Sequence, residues 1–129
     1  MKFPFIRIPA DPNPAFPNRH SILRPNIPVR LINPDDRSKY FDFKAMIDSG
    51  ADVSIFPGPI GEIIGLDIEN EKILPIRGIS GKEILTYLHK IILEIGGWKY
   101  PTSAFFCKDD ITFPILGIDG FFNLFEVRL

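Results

Sequence analysis

Beyond its first two dozen residues the chain alternates apolar and polar positions in short runs closed by turn residues, which is the period of β-strands. Ile27 to Ile32 reads as a strand, 33–38 (NPDDRS) as a turn, and Tyr40 to Ile47 as the return strand. The apolar Val53, Ile55 and Phe56 follow, and then residues 57–66 place Ile60, Ile63 and Ile64 on one side of a short helical turn, weakened by its glycines. Lys72 to Arg77 and the long run Glu83 to Ile95 predict two more strands, with Gly78, Ile79, Ser80 and Gly81 as a turn between them. Gly96-Gly97 is a two-residue hairpin signal, and Trp98 to Cys107 is its return, with Pro101 marking an edge or a bulge. Phe113 to Leu116 predicts a short strand ending at Gly117. Asp119 would cap a short helix over 120–124, and 125–129 would close the chain as a strand. Many short strands with little helix argue for a small all-β barrel or sandwich.

Proline divides the chain. Eight of the thirteen prolines fall between Pro4 and Pro34, so residues 1–26 read as an extended proline-rich arm and 27–129 as the folded domain. Phe3, Phe5, Ile6, Ile8 and Phe16 give the arm apolar anchors. It either packs along its own domain or reaches a partner subunit or a cleft.

Length and composition narrow the classes. The chain has 129 residues, 45% of them apolar, enough for a single domain with one core. A net charge of −1 with no basic patch argues against a nucleic-acid partner. No apolar run is long enough to span a bilayer, and Pro4 and Pro9 interrupt the place where the apolar core of a signal peptide would lie. The simplest expectation is a soluble, cytoplasmic protein without a membrane partner. Cys107 stands alone, so it forms no internal disulfide and suggests no metal cage; a buried thiol is expected. His20 and His89 are far apart and read as structural or solvated.

One tetrapeptide carries chemistry. The apolar Ala45-Met46-Ile47 delivers the carboxylate of Asp48 to the end of a strand, and Ser49, Gly50 and Ala51 follow at once. Glycine permits a tight turn and close approach of another backbone, while serine offers a donor that can hold a loop in register. Asp-Ser-Gly is also an ordinary turn sequence, so the tripeptide alone does not separate chemistry from a turn.

Three features in order do separate them: the apolar strand running into Asp48-Ser49-Gly50-Ala51-Asp52, the glycine-tipped hairpin from Ile76 to Lys82, and Ile115-Leu116-Gly117 near the C-terminus. Together they resemble the retropepsin-like aspartic proteases, the retroviral proteases and their cellular relatives, over residues 27–129. The stretch from Ile115 to Val127 looks most like prokaryotic members. The resemblance implies a small closed barrel with one short C-terminal helix, and an endopeptidase that needs no metal or organic cofactor. It implies Asp48 as the catalytic acid/base, Ser49 bracing the two active-site loops across a twofold axis, and Gly50 against the substrate backbone. Ala51 and Asp52 would contact substrate, Gly78, Ile79, Ser80 and Gly81 would form a flap over the bound peptide, and Ile115, Leu116 and Gly117 would pack beneath the catalytic loop.

That mechanism takes two carboxylates sharing a proton, one acting as base on a bridging water while the other donates to the scissile carbonyl. No second Asp-Ser/Thr-Gly occurs in the chain. The second carboxylate must then come from another subunit, and a twofold homodimer supplies it. Many retroviral members carry an arginine directly after the apolar-apolar-glycine motif, where it pairs with the aspartate at the position of Asp52; here that residue is Ile118. Two other readings differ in class. A retropepsin fold can serve as a silent dimerisation or peptide-binding module, although such a module has no need of Asp48. A serine hydrolase built on Ser49 would need a positioned base, and neither histidine has a supporting context.

Overall fold

A computed structural model of the protein describes residues 6–9, 21–24, 26–48, 50–77, 83–108 and 113–117, the first two stretches and Arg77 by their backbone alone. The described elements are β1 (Ile6–Pro9), β2 (Ser21–Arg24), β3 (Asn26–Ile32), β4 (Tyr40–Ile47), β5 (Ile55–Pro57), α1 (Gly58–Ile63), β6 (Ile73–Arg77), β7 (Glu83–Ile95), β8 (Trp98–Cys107) and β9 (Ile115–Leu116). Within the proline-rich arm, β1 and β2 pair antiparallel as a sheet of their own. The other seven strands form one sheet in the order β3-β4-β9-β5-β8-β7-β6, and an added β3–β7 pairing closes it into a ring. β6 stands outside the ring, as an edge strand on β7.

The alternation in the sequence decides which side of each strand faces the core. Ile27, Val29 and Leu31 of β3 point inward opposite Ala45, Phe43 and Phe41 of β4, while Pro28, Arg30 and their partners Lys44 and Asp42 point outward. Ile91, Leu93 and Ile95 of β7 and Ala104 and Phe106 of β8 complete the inner face. Phe56 and Phe106 meet edge-on with ring centroids 5.8 Å apart, and Phe43 meets Phe56 at 5.4 Å. Full burial of a side chain such as Phe56 contributes on the order of 1.5–3 kcal/mol, so this aromatic group holds β4, β5 and β8 around one centre.

Three prolines lie inside strands without breaking them, and the ladder shows why. The Leu88 amide donates to the Lys72 carbonyl at 2.9 Å, so Leu74 and Ile76 bond to β7 while the Pro75 nitrogen faces away. The Phe105 amide turns toward Ser54 (2.9 Å), away from β7, and Pro101 lies on that same side of β8. The Met46 amide turns to the Pro114 carbonyl (2.8 Å), just ahead of β9, so the backbone N–H and C=O groups of the Asn26–Met46 pair and of the next pair, Pro28 with Lys44, do not bond across β3 and β4. Each proline occupies a position whose missing N–H the ladder does not need.

At the Gly96-Gly97 turn both glycines take positive φ, 59° and 83°, as a two-residue hairpin with the twist of its flanking strands requires. Ile95 then pairs with Trp98, which remains 69% exposed and does not pack into the core. The α1 face also differs from the expected one. Ile64 is buried and Ile60 half-buried, but Ile63 is 57% exposed. The helix is seated instead on Gly58 and Gly61; a Cβ on Gly61 would come 2.8 Å from the Phe106 ring and 2.5 Å from Ile68. Buried Asn33 ties this region to the β3–β4 turn, its Nδ2 donating to the Ile64 carbonyl (2.8 Å) while its Oδ1 accepts from the Asp35 amide (2.8 Å). His89 is buried against the Phe106 ring, with Nε2 donating to the Ile68 carbonyl at 2.9 Å, and Cys107 is buried. The short C-terminal helix expected over 120–124 and the strand over 125–129 lie outside the described residues.

Candidate active site

β4 delivers Asp48 to the rim of the ring. Ala45 is buried and Ile47 packs on the core, so the alternate residues Met46 and Asp48 look outward. β9 runs parallel to the end of β4 and holds it, pairing Met46 with Ile115 and Ile47 with Leu116. The Asp48 amide continues that ladder, donating to the Leu116 carbonyl at 3.0 Å.

The chain turns immediately after the carboxylate. The Ala51 amide donates to the Asp48 carbonyl (3.1 Å), and the Gly50 amide donates to Asp48 Oδ1 (2.9 Å). A side chain on Gly50 would bring its Cβ within 3.2 Å of that same oxygen. Among the described residues the Gly50 N–H is the carboxylate's sole hydrogen-bond donor, and no cation pairs with it or with Asp52, which is exposed. Asp48 is therefore a half-buried carboxylate oriented by backbone and without a counter-charge among the described residues.

Gly117 explains how β9 can pass beneath this loop. A Cβ there would run into the Val53 carbonyl and lie 2.8 Å from the Ala51 carbonyl oxygen, so only glycine fits. Its amide donates to Ser54 Oγ at 3.1 Å, and Ser54 is only 2% exposed. Sequence reasoning passed over Ser54. The available signal was a small hydroxyl at an inward position of the run Val53-Ser54-Ile55-Phe56, where the alternation calls for an apolar residue. Of the predicted site residues, the structure brings together Asp48, Gly50, Ala51, Asp52, Ile115, Leu116 and Gly117. Ser49, Gly78, Ile79, Ser80 and Gly81 lie outside the described residues, as does Ile118.

The register also exposes a feature that spans the sheet. On the outward face, Asn26 stands opposite Met46, Met46 opposite Ile115, Ile115 opposite Ile55, Ile55 opposite Phe105 and Phe105 opposite Leu88. This is one residue from each of the six ring strands, in a single row that passes beside Asp48. None is charged. All but Asn26 are half-buried, and none belongs to the core cluster on the inner face. An uncharged row beside a carboxylate can accept an extended apolar segment against the carboxylate.

No protein-family model and no curated protein matches the chain by sequence. The structure is similar to a solved retroviral protease, the EIAV protease complexed with the inhibitor HBY-793, with a TM-score of 0.60 at 21% identity over 82% of this chain and 93% of that one. The fold is thus retropepsin-like, all-β, with strands closed into a ring.

Proposed function

We propose that the chain is one subunit of a homodimeric aspartic endopeptidase, in which two copies each contribute one Asp48. The observation that carries this reading is the setting of Asp48. The Gly50 N–H orients it, no cation among the described residues neutralises it, and it sits at a strand end beside an uncharged row, in a retropepsin-like fold. A structural aspartate is normally paired with a cation or a cap. This one makes a single turn bond, from the Gly50 N–H, and has no cation among the described residues.

Each carboxylate would stand at the twofold axis opposite its copy. Two like charges at short range are costly, so the pair would share one proton between them. The ionised member takes a proton from a water held between them while the protonated member donates to the scissile carbonyl. The water oxygen bonds to the carbonyl carbon, giving a tetrahedral intermediate. Its collapse breaks the C–N bond as the nitrogen takes up a proton. Gly50, without a Cβ, leaves room for substrate main chain next to the carboxylate. Ser49 would brace the two loops, and 78–81 would close over the peptide.

The test is a mixed peptide library incubated with the protein and with Asp48→Asn across mildly acidic to neutral pH. The proposal expects cleavage by the parent and none by the variant, with peptide binding retained. Binding by both without cleavage by either would favour a peptide-binding module, and equal cleavage by both would remove Asp48 from the chemistry.

A further inference from the structure

The row that passes Asp48 ends in an unmet hydrogen bond. Asn26 is 3% exposed, and its Oδ1 is a buried side-chain acceptor with no hydrogen-bond partner among the described residues. Buried polar atoms are nearly always paired, and an unpaired one calls for an explanation. The cheapest sequence here would carry an apolar residue, since leucine or isoleucine continues the pattern of the row and leaves nothing unsatisfied.

Its location suggests the explanation. Asn26 lies directly opposite Met46, and Met46 directly opposite Ile115. Opposed residues on neighbouring strands have Cβ atoms about 4.5–5.5 Å apart, so the carboxamide borders the Met46 side chain. Met46 shares its face of β4 with Asp48, two residues on. The two ends of the row therefore differ. Beyond Ile115 it continues through Ile55, Phe105 and Leu88 and is wholly apolar, whereas beyond Met46 it ends on an acceptor. Methionine is unbranched and adaptable, and Met46 is half-buried. By register it is the residue of the row that neighbours both Asp48 and Asn26.

We propose that Asn26 is a specificity-determining residue, accepting through Oδ1 a hydrogen bond from a substrate side chain that displaces Met46 next to the scissile bond. The inference rests on the protease reading of Asp48. The side chain it selects carries an N–H or O–H donor on an otherwise apolar body, such as a carboxamide or a phenol, and is neutral. Lys44, which follows Met46 on this outward face and has no ion pair among the described residues, opposes a positive charge. A site built around an acceptor rejects analogues that lack the donor, because the acceptor is then left buried and unpaired.

The test uses peptides that differ only in the residue beside the scissile bond, compared as matched pairs: tyrosine against phenylalanine and glutamine against methionine. Cleavage is measured with the parent, with Asn26→Leu and with Asn26→Ala, and binding of the same peptides by calorimetry in the Asp48→Asn background. The donor-bearing member should be preferred by at least about tenfold in kcat/KM and in binding, and that ratio should fall to near one in both Asn26 variants. Thermal melting checks that each variant folds, and the alanine variant serves if leucine does not. No donor preference in the parent, or one that survives both substitutions, overturns the proposal and assigns Oδ1 to an ordered water. Binding with a donor preference but no cleavage would overturn the protease reading and uphold the role of Asn26. Failure to bind any peptide would overturn both.

Discussion

Asp42 and Asp48 stand six residues apart on the same outward face of β4, yet their surroundings have little in common. Asp42 lies mid-strand, opposite Arg30 of β3, which reaches it with two bonds, Nε to Oδ1 at 2.7 Å and Nη2 to Oδ2 at 3.0 Å. The guanidinium also stacks 4.0 Å above the Tyr40 ring. That side-chain bond from Arg30 holds the Asp42 carboxyl below its ordinary range, and the bond from Asp42 holds Arg30 above its own. Both carboxylate oxygens are occupied. Asp48 lies where β4 ends and β9 takes over as its neighbour, and it receives one backbone N–H and no cation among the described residues. Two aspartates on one strand thus divide into a surface clasp and a carboxylate kept available. The division comes from what faces each across the sheet.

The largest effect that sharpens this comparison is on turnover. Asp48→Asn should lower peptide cleavage by at least about 10³-fold, within the range positioned acid–base groups supply, with no comparable loss in urea unfolding. Next is Gly117→Ala, whose new methyl meets the Val53 and Ala51 carbonyls. It should destabilise the fold by about 1–3 kcal/mol by overpacking and lower kcat by displacing the loop that carries Asp48. Ser54→Ala removes the acceptor for the Gly117 amide. A buried N–H left unpaired costs about 1–3 kcal/mol, to be read as a shift in urea midpoint.

Asp42→Asn should be the mildest of the four. Its carboxyl is lowered in the folded state, so its contribution is present above the ordinary carboxylate range and is lost as pH falls through the folded value. The variant should therefore differ slightly from the parent near neutrality and converge with it in strong acid. Because the pair is exposed and screened, both differences should be small. A loss of turnover in Asp42→Asn equal to that in Asp48→Asn would dissolve the distinction between the two carboxylates.

Much of this was legible in the sequence where the information is local. Alternation over Tyr40–Ile47 and Glu83–Ile95, with the Gly96-Gly97 turn before Trp98–Cys107, predicts those three strands with the bounds the structure shows. Pro101 signals a position facing away from its partner strand. Parts set by distant residues were not legible. β5 is three residues long and becomes a strand because β8 and β9 flank it. The seat of α1 depends on Gly61 meeting Phe106, far along the chain, so Ile63 is left outside. In the candidate site, Asp48, Gly50 and Gly117 stand in recognisable motifs. Ser54 and Asn26 carry no motif, because their significance lies in a bond across the fold in one case and an absent bond in the other.

The central claim is that one active site takes an Asp48 from each of two chains. It is tested most directly by unfolding the parent together with Asp48→Asn in varied proportions, refolding the mixtures at constant total concentration and measuring cleavage. A site shared between two copies predicts activity that falls as the square of the parent fraction, since mixed pairs are inactive. Activity that falls in simple proportion to that fraction would show that each chain works with its own groups, and would contradict the account.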